Sequence, residues 1–230
     1  MFLPSHPTQA LIFDMDGTMI DSMPHHAQSW MVLARKHHIE IDLQDMMQRT
    51  TGRTGLECVR ILFNQPAMDE ATCWAMVHEK EQLYRDTFEP LFAEVKGFKA
   101  FANHARSLGL KIGVGTAGDI HNVNFALGHL KMEWPPQAIA RGDEGFPGKP
   151  EPAIFLEAAR RLNVLSNACI VFEDAPLGIE AARRAGMRAV AICTGHSAAE
   201  LAGSHVLAAV ADYTELLESN FLEKLNVASA

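Results

Sequence analysis

The sequence predicts an α/β fold: a doubly wound parallel sheet, interrupted just after its first strand by an inserted helical segment. Three observations predict it. The apolar run "ALIF" at Ala10–Phe13 ends in two carboxylates one residue apart, Asp14 and Asp16. The next stretch of about 70 residues carries helical patterns only. From Gly97 onward, strand-like and helix-like segments alternate with short turns, the pattern of a parallel sheet wrapped by helices.

The elements follow in order. After the opening strand, "PHHAQSWMVLARKHH" from Pro24 reads as a helix with proline in its first turn. Another helix begins near Leu43, and Gly52 and Gly55 punctuate the segment behind it. "MDEATCWAMVHEKEQLYRDTF" from Met68 has acids early and mixed charge on its outer face, a long helix. "GFKAFANHARSLG" is a helix closed by Gly109, and "LKIGVGT" a buried strand. "AGDIHNVNFALGHL" is helical and "QAIAR" a short strand. A helix over "EPAIFLEAARRLN", a strand over "NACIVFED", a helix over "APLGIEAARRAG" and a strand over "MRAVAIC" complete the alternation. The expected division is a Rossmann-like core of residues 1–19 and 94–230, with residues 20–93 inserted as a helical domain.

Composition narrows the functions. With 230 residues at 48% hydrophobic content, the chain can bury one large core plus a smaller appendage. A formal net charge of -8 with no basic block argues against nucleic-acid and membrane-surface roles. Cys58, Cys73, Cys169 and Cys193 are widely spaced without a C-x-x-C pair, and the last two lie in apolar runs as expected buried thiols. Together with an opening "MFLPSHPTQ" unlike a signal peptide, this predicts a cytoplasmic location. No feature sets an oligomeric state, and a monomer is compatible with all of them. Among the eleven histidines none has zinc spacing, and His25, His37 and His38 are expected to be solvated.

Ligands of doubly wound sheets bind at the carboxyl ends of the strands. Those ends hold Asp14 and Asp16, then Thr116 with Ala117 and Gly118, then Arg141 with a loop carrying Lys149 in "GKPEP", then Glu173 and Asp174. Each alone has a plain reading: a solvated strand end, a turn glycine at Gly17, a surface lysine, a cap on the helix starting near Pro176. Gathered at one sheet edge, four acids and one lysine repel without a cation, and an all-oxygen donor set suits Mg²⁺.

In this order, "DMDGT", the strand-ending Thr116, "GKPEP" and "FEDAPLGIEAARRAG" resemble the four motifs of the haloacid dehalogenase superfamily. The insertion after the first motif, with "DSMPHHAQSW", is similar to the β-phosphoglucomutase-like branch with its helical cap. The resemblance runs from Leu11 to about Gly195. It implies that Asp14 attacks phosphorus to form an aspartyl-phosphate, and that Asp16 protonates the leaving alkoxide and later deprotonates water. It implies a Mg²⁺ site of Asp14, the Asp16 carbonyl, Asp174 and Glu173. Thr116 and the backbone from Ala117 would hold phosphate oxygens, with Lys149 bridging Asp14 and the phosphate.

Elementary chemistry agrees. A carboxylate meeting a phosphate dianion at 4 Å faces a repulsion of about 4 kcal/mol or more at an effective dielectric of 20. A divalent cation and a lysine offset it, and an alkoxide leaving group, unlike a halide, needs a proton. In the inserted segment the resemblance gives His26 a part in cap closure, and sets "TTGRTG" at Thr50–Gly55 as the loop that reaches substrate. Mutases of the branch carry a lysine before Gly52 and an arginine three residues after it. This chain has Thr51 and Gly55 there, with Arg53 between them. The expected function is therefore a Mg²⁺-dependent phosphatase of a small phosphorylated metabolite, a sugar or polyol phosphate. A phosphosugar mutase is the first alternative, and a phosphometabolite-binding protein without turnover the second.

Overall fold

The computed structural model describes residues 7–50 and 53–225. Its centre is β1 (Ala10–Phe13), four residues without solvent exposure. It is flanked by β2 (Lys111–Thr116) and by β4 (Cys169–Glu173). β3 (Ala138–Arg141) lies outside β2, and β5 (Arg188–Ile192) and β6 (Val206–Val210) lie outside β4, giving a six-stranded parallel sheet in the order β3-β2-β1-β4-β5-β6. The chain winds outward from β1 to one edge and then returns to build the other half. The gap between β1 and β4 is thus the topological switch point, where such sheets place a ligand.

Helices cover both faces because the strands are apolar on both. Against one face lie α5 (Phe98–Ser107), α6 (Ile120–Leu130) and α9 (Tyr213–Glu218), burying Phe98, Phe101, Val123, Tyr213 and Leu216. Phe13 stacks on Phe172 with ring centroids 4.6 Å apart and meets the edge of Phe98 at 5.3 Å. The other face is covered by α7 (Ala153–Leu162) and α8 (Pro176–Arg184) through Ile154, Phe155, Ile179 and a run of alanines. Each fully buried large side chain contributes about 1.5–3 kcal/mol.

Between β1 and α5 come α1 (Met23–Lys36), α2 (Leu43–Thr50), α3 (Gly55–Leu62) and α4 (Glu70–Phe88). They share a core of their own around Trp30, Leu33, Met46, Cys58, Val59, Cys73 and Val77. The far end of α4 inserts Tyr84 and Phe88 into the core of the sheet domain, so this helix spans both clusters. Local chemistry sets the starts. Thr54 and Glu57 form a reciprocal capping box on α3, and Asp69 caps α4 by accepting from Thr72 N at 2.9 Å.

Four local readings are corrected. Gly55 does not merely interrupt the chain but opens α3. β6 and α9 complete the sheet domain beyond the last strand expected. His25 and His37 are half-buried, His25 stacking on Phe88 at 4.7 Å, and Cys193 is half-buried too. All four cysteines are free thiols, and burial pushes Cys58 and Cys169 up to about 12. Among the described residues, no helix is long and apolar enough to cross a membrane.

Candidate active site

The ends of β1, β2 and β4 and the loop after β3 meet at the switch point around a cavity of about 110 Å³. Asp14, Asp16, His26, Arg53, Thr116, Ala117, Lys149, Glu173 and Asp174 all line it. Gly52 and Thr51 lie outside the described residues. Arg141 takes no part, since its guanidinium pairs with Asp143 at 2.9 Å and with Glu144 at 3.4 Å.

Backbone geometry explains how so many acids fit together. β1 and β4 are adjacent and parallel, which brings Asp14 beside Glu173 and Asp174. Gly17 turns the chain with a φ of 78°, and a Cβ there would overlap the Asp174 carboxylate. Glu173 folds back over the start of α8, accepting from Ala175 N at 2.7 Å, and a Cβ on Gly178 would occupy its carboxylate's place. Both glycines leave room that no other residue does. Thr116 is buried, with its hydroxyl accepting from Gly118 N at 3.0 Å, which orders the loop after β2.

One ammonium serves this cluster. Buried Lys149 donates to Asp14 at 2.5 Å and to Glu173. Burial opposes its charge, but the two carboxylates outweigh burial and hold it above the ordinary lysine value. Asp14 is raised to about 8, chiefly by burial, which outweighs the pull of Lys149. Asp174 is also held well above a normal carboxyl by burial, then by Glu173 and Asp14. Carboxylate oxygens of Asp14, Glu173 and Asp174 lie within 4.8 Å of one another. Three acids against one lysine leave an excess of two negative charges when all are ionised, and hard oxygen donors at this spacing fit a divalent cation.

Asp16 sits differently. Ser22 Oγ at 2.7 Å, His26 Nε2 at 2.9 Å and the Tyr84 hydroxyl at 3.3 Å all converge on its Oδ1. No described residue hydrogen-bonds Oδ2. Burial alone raises this carboxyl, but His26, Ser22 and Lys80 outweigh burial and lower it to about 2. Behind His26, Lys80 Nζ lies 2.5 Å from Nδ1 and 2.9 Å from Glu81 Oε1. An ammonium only donates, so Nδ1 is the acceptor, and Nε2 carries the proton directed at Asp16. Asn122 of α6 completes the chain by donating to Glu81 Oε2 at 2.7 Å. His26 thus lines the cavity and contacts Asp16. Ser22, Lys80, Glu81, Tyr84 and Asn122 come with it and were not foreseen. Arg53 reaches the cavity wall while its Nε donates to Arg49 O at 2.9 Å.

A buried carboxylate paired with lysine, a second carboxylate with one oxygen oriented and one free, and a hard-cation donor set can together transfer a phosphoryl group. A family model described as haloacid dehalogenase-like hydrolase matches residues 8–186. The fructose-1-phosphate phosphatase YqaB of Escherichia coli (strain K12) is 35% identical over 185 residues, covering 78% of this chain and 94% of the relative. The validoxylamine A 7'-phosphate phosphatase of Streptomyces hygroscopicus subsp. limoneus is 30% identical over 212 residues, covering 89% and 94%. A crystal structure of β-phosphoglucomutase from Clostridium difficile superposes with a TM-score of 0.82 at 27% identity, covering 94% of this chain and 96% of that one.

Proposed function

The chain belongs to the haloacid dehalogenase-like hydrolases and is a phosphoric monoester hydrolase, and on that premise we propose a Mg²⁺-dependent phosphatase of sugar or polyol phosphates working through an aspartyl-phosphate. The carrying observation is the Asp14–Lys149 pair at 2.5 Å, buried beside two further carboxylates at the switch point. Asp14 attacks phosphorus as the bond to the alkoxide oxygen breaks, and Asp16 Oδ2 hands that oxygen its proton. Asp16 then takes a proton from water as the water oxygen attacks the aspartyl-phosphate, releasing phosphate and restoring Asp14. Asp16 is held ionised in this arrangement, which suits the second step. For the first step Asp16 carries a proton on Oδ2, the one it takes from water at the close of the preceding turnover.

Lys149 and the Thr116 hydroxyl, with the amides that follow it, hold the phosphoryl oxygens. Asp14, Glu173, Asp174 and the Asp16 carbonyl are the residues that would hold Mg²⁺, which when bound neutralises charge on the phosphate. Residues 20–93 form a cap that excludes water, its position read out by the contact of His26 with Asp16. The free thiols support a cytoplasmic location.

Gly55 favours phosphatase over mutase. A Cβ there would lie 2.8 Å from Val77 Cγ1, so α3 is seated against α4 where a longer side chain would have to displace Val77. The test is phosphate release from a panel of sugar and polyol phosphates with Mg²⁺, repeated on Asp14→Asn. Release by the wild type and a loss of about a thousandfold or more in the variant are expected. Near-wild-type release by the variant rules out the covalent route.

A further inference from the structure

A second cavity, of about 340 Å³, lies between α3 and α4 on one side and the loops after β2 and β3 on the other. It shares Gly55, Glu81, Ala117 and Gly118 with the first cavity, so the two adjoin along a common wall. The smaller one holds the carboxylates of Asp14, Glu173 and Asp174 with Lys149. We propose that this second cavity is the leaving-group site, and that it selects phosphomonoesters of polyhydroxylated alcohols bearing an amine over those bearing a second anion. This rests on the phosphatase reading above.

The walls carry the argument. Trp74 and Phe146 face the cavity from opposite sides, offering apolar surfaces to the C–H faces of a ring. Glu70, Asp119 and Asp143 join Glu81 along the same lining, and among the described residues no lysine, arginine or histidine does. Two of the four are neutralised from behind, Asp143 by Arg141 at 2.9 Å and Glu81 by Lys80 at 2.9 Å. Asp119 accepts from Asn122 N at 2.8 Å but has no ion pair among the described residues, and neither has Glu70. Carboxylates only accept, so this lining takes hydroxyl and ammonium donors and repels a second phosphate or a carboxylate. Gly55 belongs to the common wall, and a Cβ there would lie 2.8 Å from Val77 Cγ1.

The test uses three substrates alike at the reacting carbon: glucosamine 6-phosphate, glucose 6-phosphate and 6-phosphogluconate. Phosphate release with Mg²⁺ gives kcat/KM for each, with p-nitrophenyl phosphate as a control for the chemistry. The amine-bearing sugar is expected to lead and the acid to trail, by about tenfold or more between them. Glu70→Gln combined with Asp119→Asn, which keeps an acceptor at the start of α6, should reduce that ratio to about threefold or less. A merely structural loss would lower all three substrates together and leave the ratio standing. A wild-type ratio of one or below, a ratio untouched in the double variant, or release from p-nitrophenyl phosphate alone overturns the assignment. Each of those outcomes leaves the phosphatase reading intact. No release from any of the four substrates defeats the phosphatase reading, and this one with it.

Discussion

The Asn122 amide donates to Glu81 Oε2 at 2.7 Å, joining a helix of the sheet domain to a helix of the inserted segment. The same side chain accepts from Arg85 Nη1 at 2.8 Å. From Glu81 the contacts run through Lys80 and His26 to Asp16. The position of the inserted helices and the orientation of Asp16 are therefore two ends of one hydrogen-bonded chain. Such a network rigidifies a site only while every member is satisfied.

Asn122→Leu keeps the branched shape and removes both contacts, which is expected to cost about 1–3 kcal/mol of stability and about tenfold in kcat/KM. Asn122→Asp should be worse, because it sets a second carboxylate against Glu81. Thermal melts and steady-state kinetics on both variants check this. Wild-type turnover in Asn122→Asp would show that the chain does not govern Asp16.

In the metal-free protein Asp14 should contribute a loss of stability as pH rises. Burial raises Asp14 from 3.8 to about 8. Between those values the unfolded chain has released a proton that the folded chain retains, so folding is disfavoured progressively with rising pH. Asp14→Asn has no such proton. In excess chelator, its melting temperature should fall less than that of the wild type from about pH 5 to pH 8. Added Mg²⁺ should raise the wild type more than the variant. Parallel pH slopes would count against a proton held on Asp14 by burial.

Gly148, just before Lys149, is predicted to set how closely the inserted helices approach. A Cβ there would overlap the Glu57 carboxylate, itself held by Thr54 N and Thr54 Oγ1 at 2.8 Å each. Gly148→Ala should lower sugar-phosphate turnover in a folded protein, and adding Glu57→Ala should recover part of the loss. A coupling on the order of 1 kcal/mol is expected from the cycle. Additive losses would mean that the two residues do not meet during turnover.

The sheet and its acids are legible because strand ends punctuate an apolar pattern. Asp14, Thr116 and Glu173 each close a buried run, and Lys149 stands in a loop with proline and glycine. Lys80 and Glu81 are not legible that way. They sit in a helix that also carries exposed charges at Glu70 and Asp86, and a buried Lys–Glu pair has the same spelling as an exposed one. Their burial is decided by His26 and Asn122, 54 and 41 residues away along the chain. Gly178 is hidden for a related reason. In sequence it is only a glycine inside a helix, and its use appears once Glu173 folds over it. β6 is an edge strand with alternate residues half-buried and exposed, a weaker signal than the fully buried runs before it.

Phosphatase and mutase part at the fate of the aspartyl-phosphate. A mutase must keep water from it until a sugar hydroxyl takes the phosphoryl group, and must hold the far phosphate of a bisphosphate meanwhile. A phosphate dianion is held best by lysine or by bidentate arginine. At Gly55 the backbone lies against Val77, and Arg53 is the arginine lining the first cavity, with one of its donors already spent on Arg49 O. The second cavity, into which a far phosphate would extend, has carboxylates and, among the described residues, no cation in its lining. Incubation with β-glucose 1-phosphate should therefore yield inorganic phosphate and no glucose 6-phosphate, and glucose 1,6-bisphosphate should not stimulate it. Gly55→Arg should not install mutase activity, and forcing its side chain against Val77 should cost about 1–3 kcal/mol in a thermal or denaturant melt. Accumulation of glucose 6-phosphate with little free phosphate, in the wild type or in that variant, would assign the site to phosphoryl transfer between sugar oxygens instead.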